Sequence, residues 1–238
     1  MSQPDGGVGA VSAVDRLLDV LGTPGDEERR LGVRILKAVG VLAASPLPFV
    51  PAAEGDPGGS LTAQSVATTV ALAVRPQADV LIVVEIAAAA LSAPWLADDA
   101  ARLQALVAGL RIAGRLLPDG VLDAGRDSGS WGAIAGGVGV APRDDREEQA
   151  RIAYIAASLT LAPVPVADND DAYLAMRSGH AAASALLAVT LASAGFVGDV
   201  EAIDSVHERL GVASESGPRR GAVELARAGL ELLEKAVR

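Results

Sequence analysis

Two short strings bring together the residue types that acid/base chemistry on a small anion would need. GRDSGSWG, residues 125–132, sets Arg126, Asp127, Ser128, Ser130 and Trp131 at the entrance to a glycine-rich apolar run. LAMRSGH, residues 174–180, sets Arg177 and His180 at the start of a run of small residues. A carboxylate just before a helix has its charged form stabilised by the macrodipole, which suits Asp127 to act as a base rather than an acid. Asp and Ser in that place are also ordinary N-cap residues. Arg177 offers a permanent cation to a carboxylate or enolate oxygen and cannot shuttle a proton at neutral pH, or it solvates a helix start. Tyr173, directly upstream, could donate a proton into the same pocket. It follows Asp168-Asn169-Asp170-Asp171, which lacks the glycine and distal glutamate of a calcium loop and reads better as helix capping.

A third candidate is Glu85, alone in the apolar run DVLIVVEIAAAAL. A carboxylate buried there is costly unless paired, so it meets an arginine such as Arg75 or Arg111, or it faces a cavity as a general acid. His180 and His207 are the two histidines and fall on different helices, with no carboxylate at ligand spacing around His180, so no metal is expected. Gly132, Gly136, Gly137 and Gly139 follow no strand and precede no phosphate-loop Lys-Ser/Thr, which leaves close helix packing as their explanation.

The elements that position these residues read as helices. Half of the chain is hydrophobic but only 3% is aromatic, so the core must be built from Ala, Val and Leu with Gly at close contacts; Ala is the best helix former, and an all-α fold is favoured. Helices are expected over Val11 to Leu21 and Asp26 to Ala44, the two making a hairpin, and from Ser60 to Val74, with PLPFVPAAEGDPGG as a loop between. Asp79 to Leu91 opens on clustered Val and Ile that could start a strand, but its alanine tail favours a helix. Further helices follow from Ala100 to Leu117 behind an Asp98-Asp99 cap, from Trp131, from the acidic pair Glu147-Glu148, through the Arg177 segment to a Gly-Phe-x-Gly stop, and over Glu201 to Leu210 and Arg219 to Val237. Together they make about ten helices in one domain.

Charge excludes several partners. The net charge is −10, with 30 acidic and 20 basic residues and no basic stripe, so nucleic acid is not expected. The uncharged runs at Ser60–Val74 and Ala181–Gly198 lack aromatic belts and a one-sided Lys/Arg excess; they read as central buried helices rather than membrane spans. The N-terminus shows no charged region followed by an apolar core, hence no signal peptide. The lack of cysteine removes thiolate nucleophiles and disulfides and fits a cytoplasmic protein.

Taken in order, these segments resemble the helical domain of the MmgE/PrpD family, which includes 2-methylcitrate dehydratase, cis-aconitate decarboxylase and iminodisuccinate epimerase. ILKAVGVLAAS is similar to the family's Leu-x-Asp-x-x-Gly-Val-x-Leu-Ala-Gly helix, with Lys37 at the Asp, and LVAGLRIAGRL to its Ala-Gly-Tyr-Glu-x-x-x-Arg-Leu, with Arg115 and Leu116 at the end. SLTAQSVATTVALAV resembles the Asn-Gly-x-x-x-His-x-x-Asp helix, but Val74, Arg75 and Pro76 stand where the family carries Asp-Asp-Thr-His. At the Gly-x-His-Pro-Thr-Ala turn Asp127 stands near the histidine, or Arg126 does if Trp131 anchors the register. At Lys-x-x-His-x-Gly, Leu174 replaces the lysine and Arg177 the histidine, while Gly179 is retained. Where family members insert an α+β lid, SESGPRRG joins two helices directly, which implies a helical core without its lid.

The resemblance implies one all-α domain over residues 1–238, with residues 1–10 flexible, and a homodimer formed through it. The expected activity is cofactor-independent acid/base chemistry on a small-molecule substrate: a lyase, isomerase or cyclase acting on a carbonyl- or carboxylate-bearing metabolite, including an intermediate of a specialised biosynthetic pathway. Arg126 or Arg177 would hold the anion, Asp127 would be the base, and Tyr173 or Glu85 the acid. Arg75, Ser128, Ser130, Trp131 and His180 would line the pocket. The alternative is a non-catalytic binding or scaffold protein descended from the same family.

Overall fold

A chain rich in Ala, Gly, Val and Leu can bring helices unusually close, and this one does so around two buried helices. The computed structural model describes residues 13–44, 56, 58–74, 78–116, 129–142, 145–160, 171–209 and 221–238. Among them are ten α-helices and no strand: α1 (Ala13–Leu18), α2 (Asp26–Ala43), α3 (Ser60–Val74), α4 (Ala78–Ser92), α5 (Asp99–Leu116), α6 (Gly129–Val140), α7 (Arg146–Leu159), α8 (Asp171–Ser193), α9 (Ala202–Arg209) and α10 (Ala222–Val237). The chain is therefore all-α, and one hydrophobic cluster draws residues from all ten helices.

Every residue of α6 is buried. It packs against α4, α5, α7 and α8, and its glycines make those approaches possible. A Cβ at Gly139 would lie 2.6 Å from the Ala105 carbonyl, and one at Gly136 would lie 3.1 Å from the Ala185 methyl. The glycine-rich stretch is therefore a packing device. The second buried rod is α4, whose residues Val80 to Ala90 are all buried. Its β-branched opening forms no strand, because a helix pairs every backbone amide internally where no strand partner exists among the described residues.

Helix starts follow local chemistry. Asp145 accepts from the Glu148 amide at 2.9 Å, Asp98 from the Ala101 amide at 2.7 Å, and Asp56 from the Thr62 amide at 2.9 Å. Of the two acids expected to cap α5, Asp98 is the cap and Asp99 is the first helical residue. α8 ends where Gly195 adopts φ +86° and the Phe196 amide reaches back to the Leu191 carbonyl at 3.0 Å, a Schellman stop.

The N-terminal hairpin is not formed as expected. α1 packs on α5 and α7, while the buried stripe of α2, Leu31, Ile35, Ala38, Val39 and Leu42, belongs to a helix that packs chiefly on α10, with α3, α4 and α5 behind it. α1 also stops at Leu18, short of Leu21. Beyond it Arg111 donates to the carbonyls of Val20, Gly22 and Thr23, and these bonds hold the connection as a turn ahead of Pro24.

α8 is long and apolar enough to cross a membrane by length and composition, with 61% of its most apolar window buried by the other helices. The core helix of a bundle passes the same test.

Candidate functional site

The two chemically rich strings meet. Gly129, Ser130 and Ala133 from the first turns of α6, Thr160 from the end of α7, and Arg177, His180, Ala181 and Ser184 from α8 line one small crevice. On α8 the residues at i, i+3, i+4 and i+7 share a face, so Arg177, His180, Ala181 and Ser184 turn together toward α6 and α7. Ser130 and Ser184 are each 3% exposed and Arg177 is 5% exposed, which makes this a polar patch buried inside an aliphatic bundle. The enclosed volume is about 10 Å³, room for one water molecule.

Arg177 Nη1 donates to the Tyr173 hydroxyl oxygen at 3.1 Å, and its guanidinium carbon lies 5.7 Å from the centre of the Tyr173 ring. One turn of helix thus couples the cation to the phenol. His180 Nε2 lies 3.4 Å from both the Leu159 carbonyl and Ser184 Oγ. A protonated Nε2 donates to the carbonyl, and a bare one accepts from the serine, so the two contacts serve different tautomers. Ser178, beside Arg177, is 1% exposed and its hydroxyl finds no partner among the described residues.

Of the residues singled out in the sequence, Ser130, Arg177 and His180 share the crevice, and Tyr173 joins them through Arg177. Trp131 is fully buried in the core. Glu85 is 1% exposed and packs on a different face of α6, where a Cβ at Gly132 would overlap its carboxyl. Of the arginines considered as partners for Glu85, Arg111 is engaged by Glu28 instead, with Nη2 to Oε2 at 2.6 Å and Nε to Oε1 at 2.8 Å. Arg75, Arg126, Asp127 and Ser128 lie outside the described residues, as do Asp168, Asn169 and Asp170. The sequence reading passed over Thr160, Ser178 and Ser184; the signal available for Ser184 was its place one helical turn beyond His180.

That Arg111–Glu28 pair is the principal electrostatic feature away from the crevice. The hydrogen bond from Arg111 holds the Glu28 carboxyl below the usual carboxylate range, against the opposing effect of burial and with help from the Gly25 amide. Two wider clefts flank the turn it fixes. One, of about 440 Å³, is lined by Leu18, Thr23, Gln104, Val138, Arg146 and Gln149 among others; the other, of about 340 Å³, includes Glu28, Arg111 and Arg115. Among the described residues, none of those singled out for catalysis or substrate binding in the sequence lines either cleft.

Among the described residues no three His, Asp or Glu side chains converge as a metal site requires. Comparison with known proteins adds no family to this picture, because no family model, no curated protein and no solved structure matches the chain.

Proposed function

We propose that the chain is a divergent MmgE/PrpD-like lyase, isomerase or cyclase that binds a carbonyl- or carboxylate-bearing metabolite where α6 begins beside α8. The observation that carries this reading is the meeting of Ser130, Arg177, His180 and Ser184 around one buried polar crevice, with Arg177 coupled to Tyr173. The planar fork of the Arg177 guanidinium suits a carboxylate or an enolate oxygen. The segment bearing Arg126, Asp127 and Ser128 enters α6 directly at Gly129, which supports Asp127 as the base that takes a carbon-bound proton. Tyr173 is the acid that returns a proton to the leaving group or to the opposite face. The order of helices and the glycine pattern support descent from a lidded family member without its lid, and the cysteine-free composition fits a cytoplasmic enzyme.

The test begins with metabolite profiles from source cells with and without the gene, followed by incubation of any accumulated compound with purified protein. Conversion is expected, Asp127→Asn should abolish it with the helical circular dichroism unchanged, and Arg177→Met should raise KM more than it lowers kcat. Undiminished turnover in Asp127→Asn removes that residue as the base.

A second reading is favoured by the crevice's volume of about 10 Å³, far below the several hundred Å³ of ordinary ligand sites. In it the polar patch is a structural remnant and the chain is a non-catalytic binding or scaffold protein. Absence of any accumulating or converted compound would favour it.

A further inference from the structure

We propose that the cleft between the turn after α1 and the first turn of α7 binds a small monocarboxylic acid with an apolar body. Its volume, about 440 Å³, lies within the range of ordinary ligand sites, whereas the α6/α8 crevice encloses about 10 Å³. Four elements wall it: the end of α1 with the turn that follows, α5, α6 and α7. Val138 on its floor and Ser130 in the crevice stand at opposite ends of α6, which separates the two places by about 12 Å along that helix. The inference stands independently of the reaction proposed above.

Elsewhere in the bundle, glycines let helices close until no Cβ would fit between them; here the walls are held apart. One wall is the turn whose Val20, Gly22 and Thr23 carbonyls accept from Arg111 at 3.1–3.3 Å. Arg111 is itself gripped by Glu28, so this wall cannot fold inward without breaking a largely buried ion pair. The opposite wall carries Gln149, 4% exposed, whose Nε2 donates to the Pro142 carbonyl at 3.1 Å. Gln149 shares a helix face with Arg146, three residues before it. A ligand entering a preformed site is spared the cost of ordering it.

The lining selects the ligand. Its buried part is aliphatic, from Leu18, Ala108 and Val138, and takes an apolar body. Its exposed part is polar, from Thr23, Gln104 and Arg146, and takes a head group that accepts hydrogen bonds. Arg146 is the one charged residue of the lining, and no carboxylate belongs to it. Arg146 Nη2 donates to Asp19 at 2.6 Å, but both side chains are more than half exposed. Such a pair contributes little, so a ligand carboxylate exchanges with Asp19 for the guanidinium fork. A cation would meet a guanidinium in place of an acid, and a dianion would leave its second charge over the aliphatic floor. The net charge of −10 disfavours anions at long range, but beyond about 10 Å that field is screened at ordinary salt and the local cation decides. At about 30 Å³ for each water-sized group, the cleft holds roughly 10–15 non-hydrogen atoms.

Octanoate, octylammonium and octanol share one tail and differ in the head group, and calorimetric titration of each into the full chain tests the proposal. Octanoate should bind saturably, one per chain, and at least about tenfold more tightly than the other two. Arg146→Gln should weaken octanoate about tenfold, the worth of a charge-assisted hydrogen bond, and leave octanol unchanged. Arg34→Gln, which removes an exposed cation of α2, should change neither. Gln104→Trp, at an exposed position of α5, should block the cleft and remove octanoate binding with the helical circular dichroism retained. Lack of saturable octanoate binding, equal affinity for the three head groups, or undiminished binding in Arg146→Gln or Gln104→Trp overturns the proposal. Loss of octanoate in Arg177→Met but not in Arg146→Gln would assign the ligand to the α6/α8 crevice, which overturns this proposal and leaves the reaction proposed above standing.

Discussion

Two helix pairs face outward from this bundle, and they are built on opposite plans. α2 and α10 run parallel, with Glu27 paired to Arg227 and, two turns on, Arg34 to Glu234 at 2.6 Å. Their inner stripes are apolar and their outer faces are laced with charge, and the exposed Val33 of α2 stands next to Arg34. α3 and α8 run antiparallel, carry almost no charge, and approach at Gly179. The first pair has the composition water requires of an amphipathic surface helix; the second has the composition of helices covered on most sides. The difference teaches that accessibility in one chain and polarity need not agree.

Closeness of approach separates the two pairs most strongly. Gly179→Ala would drive a methyl into Thr68 Oγ1 and to 2.9 Å from the Gln64 carbonyl, and it is expected to cost about 3 kcal/mol, the upper range for overpacking. Gly40→Ala on α2 meets nothing within 4 Å and should stabilise by about 0.5–1 kcal/mol through helix propensity. Urea unfolding of both variants measures the contrast, and equal effects would erase it.

The next effect concerns the start of α2. Arg111→Gln should cost about 2 kcal/mol, because it leaves Glu28 half-buried without its cation and frees three turn carbonyls. The Glu28 carboxyl is lowered in the folded chain, so its contribution is fully present above the ordinary carboxylate range and is lost as pH falls through the folded value. Wild type should lose stability on acidification more steeply than Arg111→Gln, which chemical unfolding between pH 6 and pH 3 would measure. Parallel curves would show that the pair is not coupled to folding.

Smallest of all is Arg34→Ala, which removes an exposed ion pair of the charged face. Its effect should stay within about 0.5 kcal/mol and shrink further in salt. A larger loss would mean that the α2/α10 face depends on its charges as much as α3/α8 depends on close packing.

The helices themselves were legible from the sequence because their signals are local. Asp98, Asp145 and the Gly195-Phe196 stop act within one turn of the chain, and the alanine tail together with the family resemblance favoured helix over strand at Ala78–Ser92. The site was legible in part: Ser130, Arg177 and His180 stood out by type and spacing, but their convergence depends on α6 and α8 meeting through Gly136 and Gly137 against Ala185. The choice among the partners open to Glu85 was not legible for the same reason. Glu85 and Arg111 are both charges on apolar helices, and nothing in their neighbourhoods says that Arg111 turns to Glu28, 83 positions away, while Glu85 seats against Gly132.

By itself the sequence determined an all-α chain, the position of nearly every helix, and a set of polar residues too few and too grouped to be filler. The tertiary structure decided which of them meet, which way α1 packs, and which helix face is left uncharged and open. Helix formation is satisfied by backbone bonds four residues apart, whereas helix pairing depends on the summed fit of surfaces far apart in the chain.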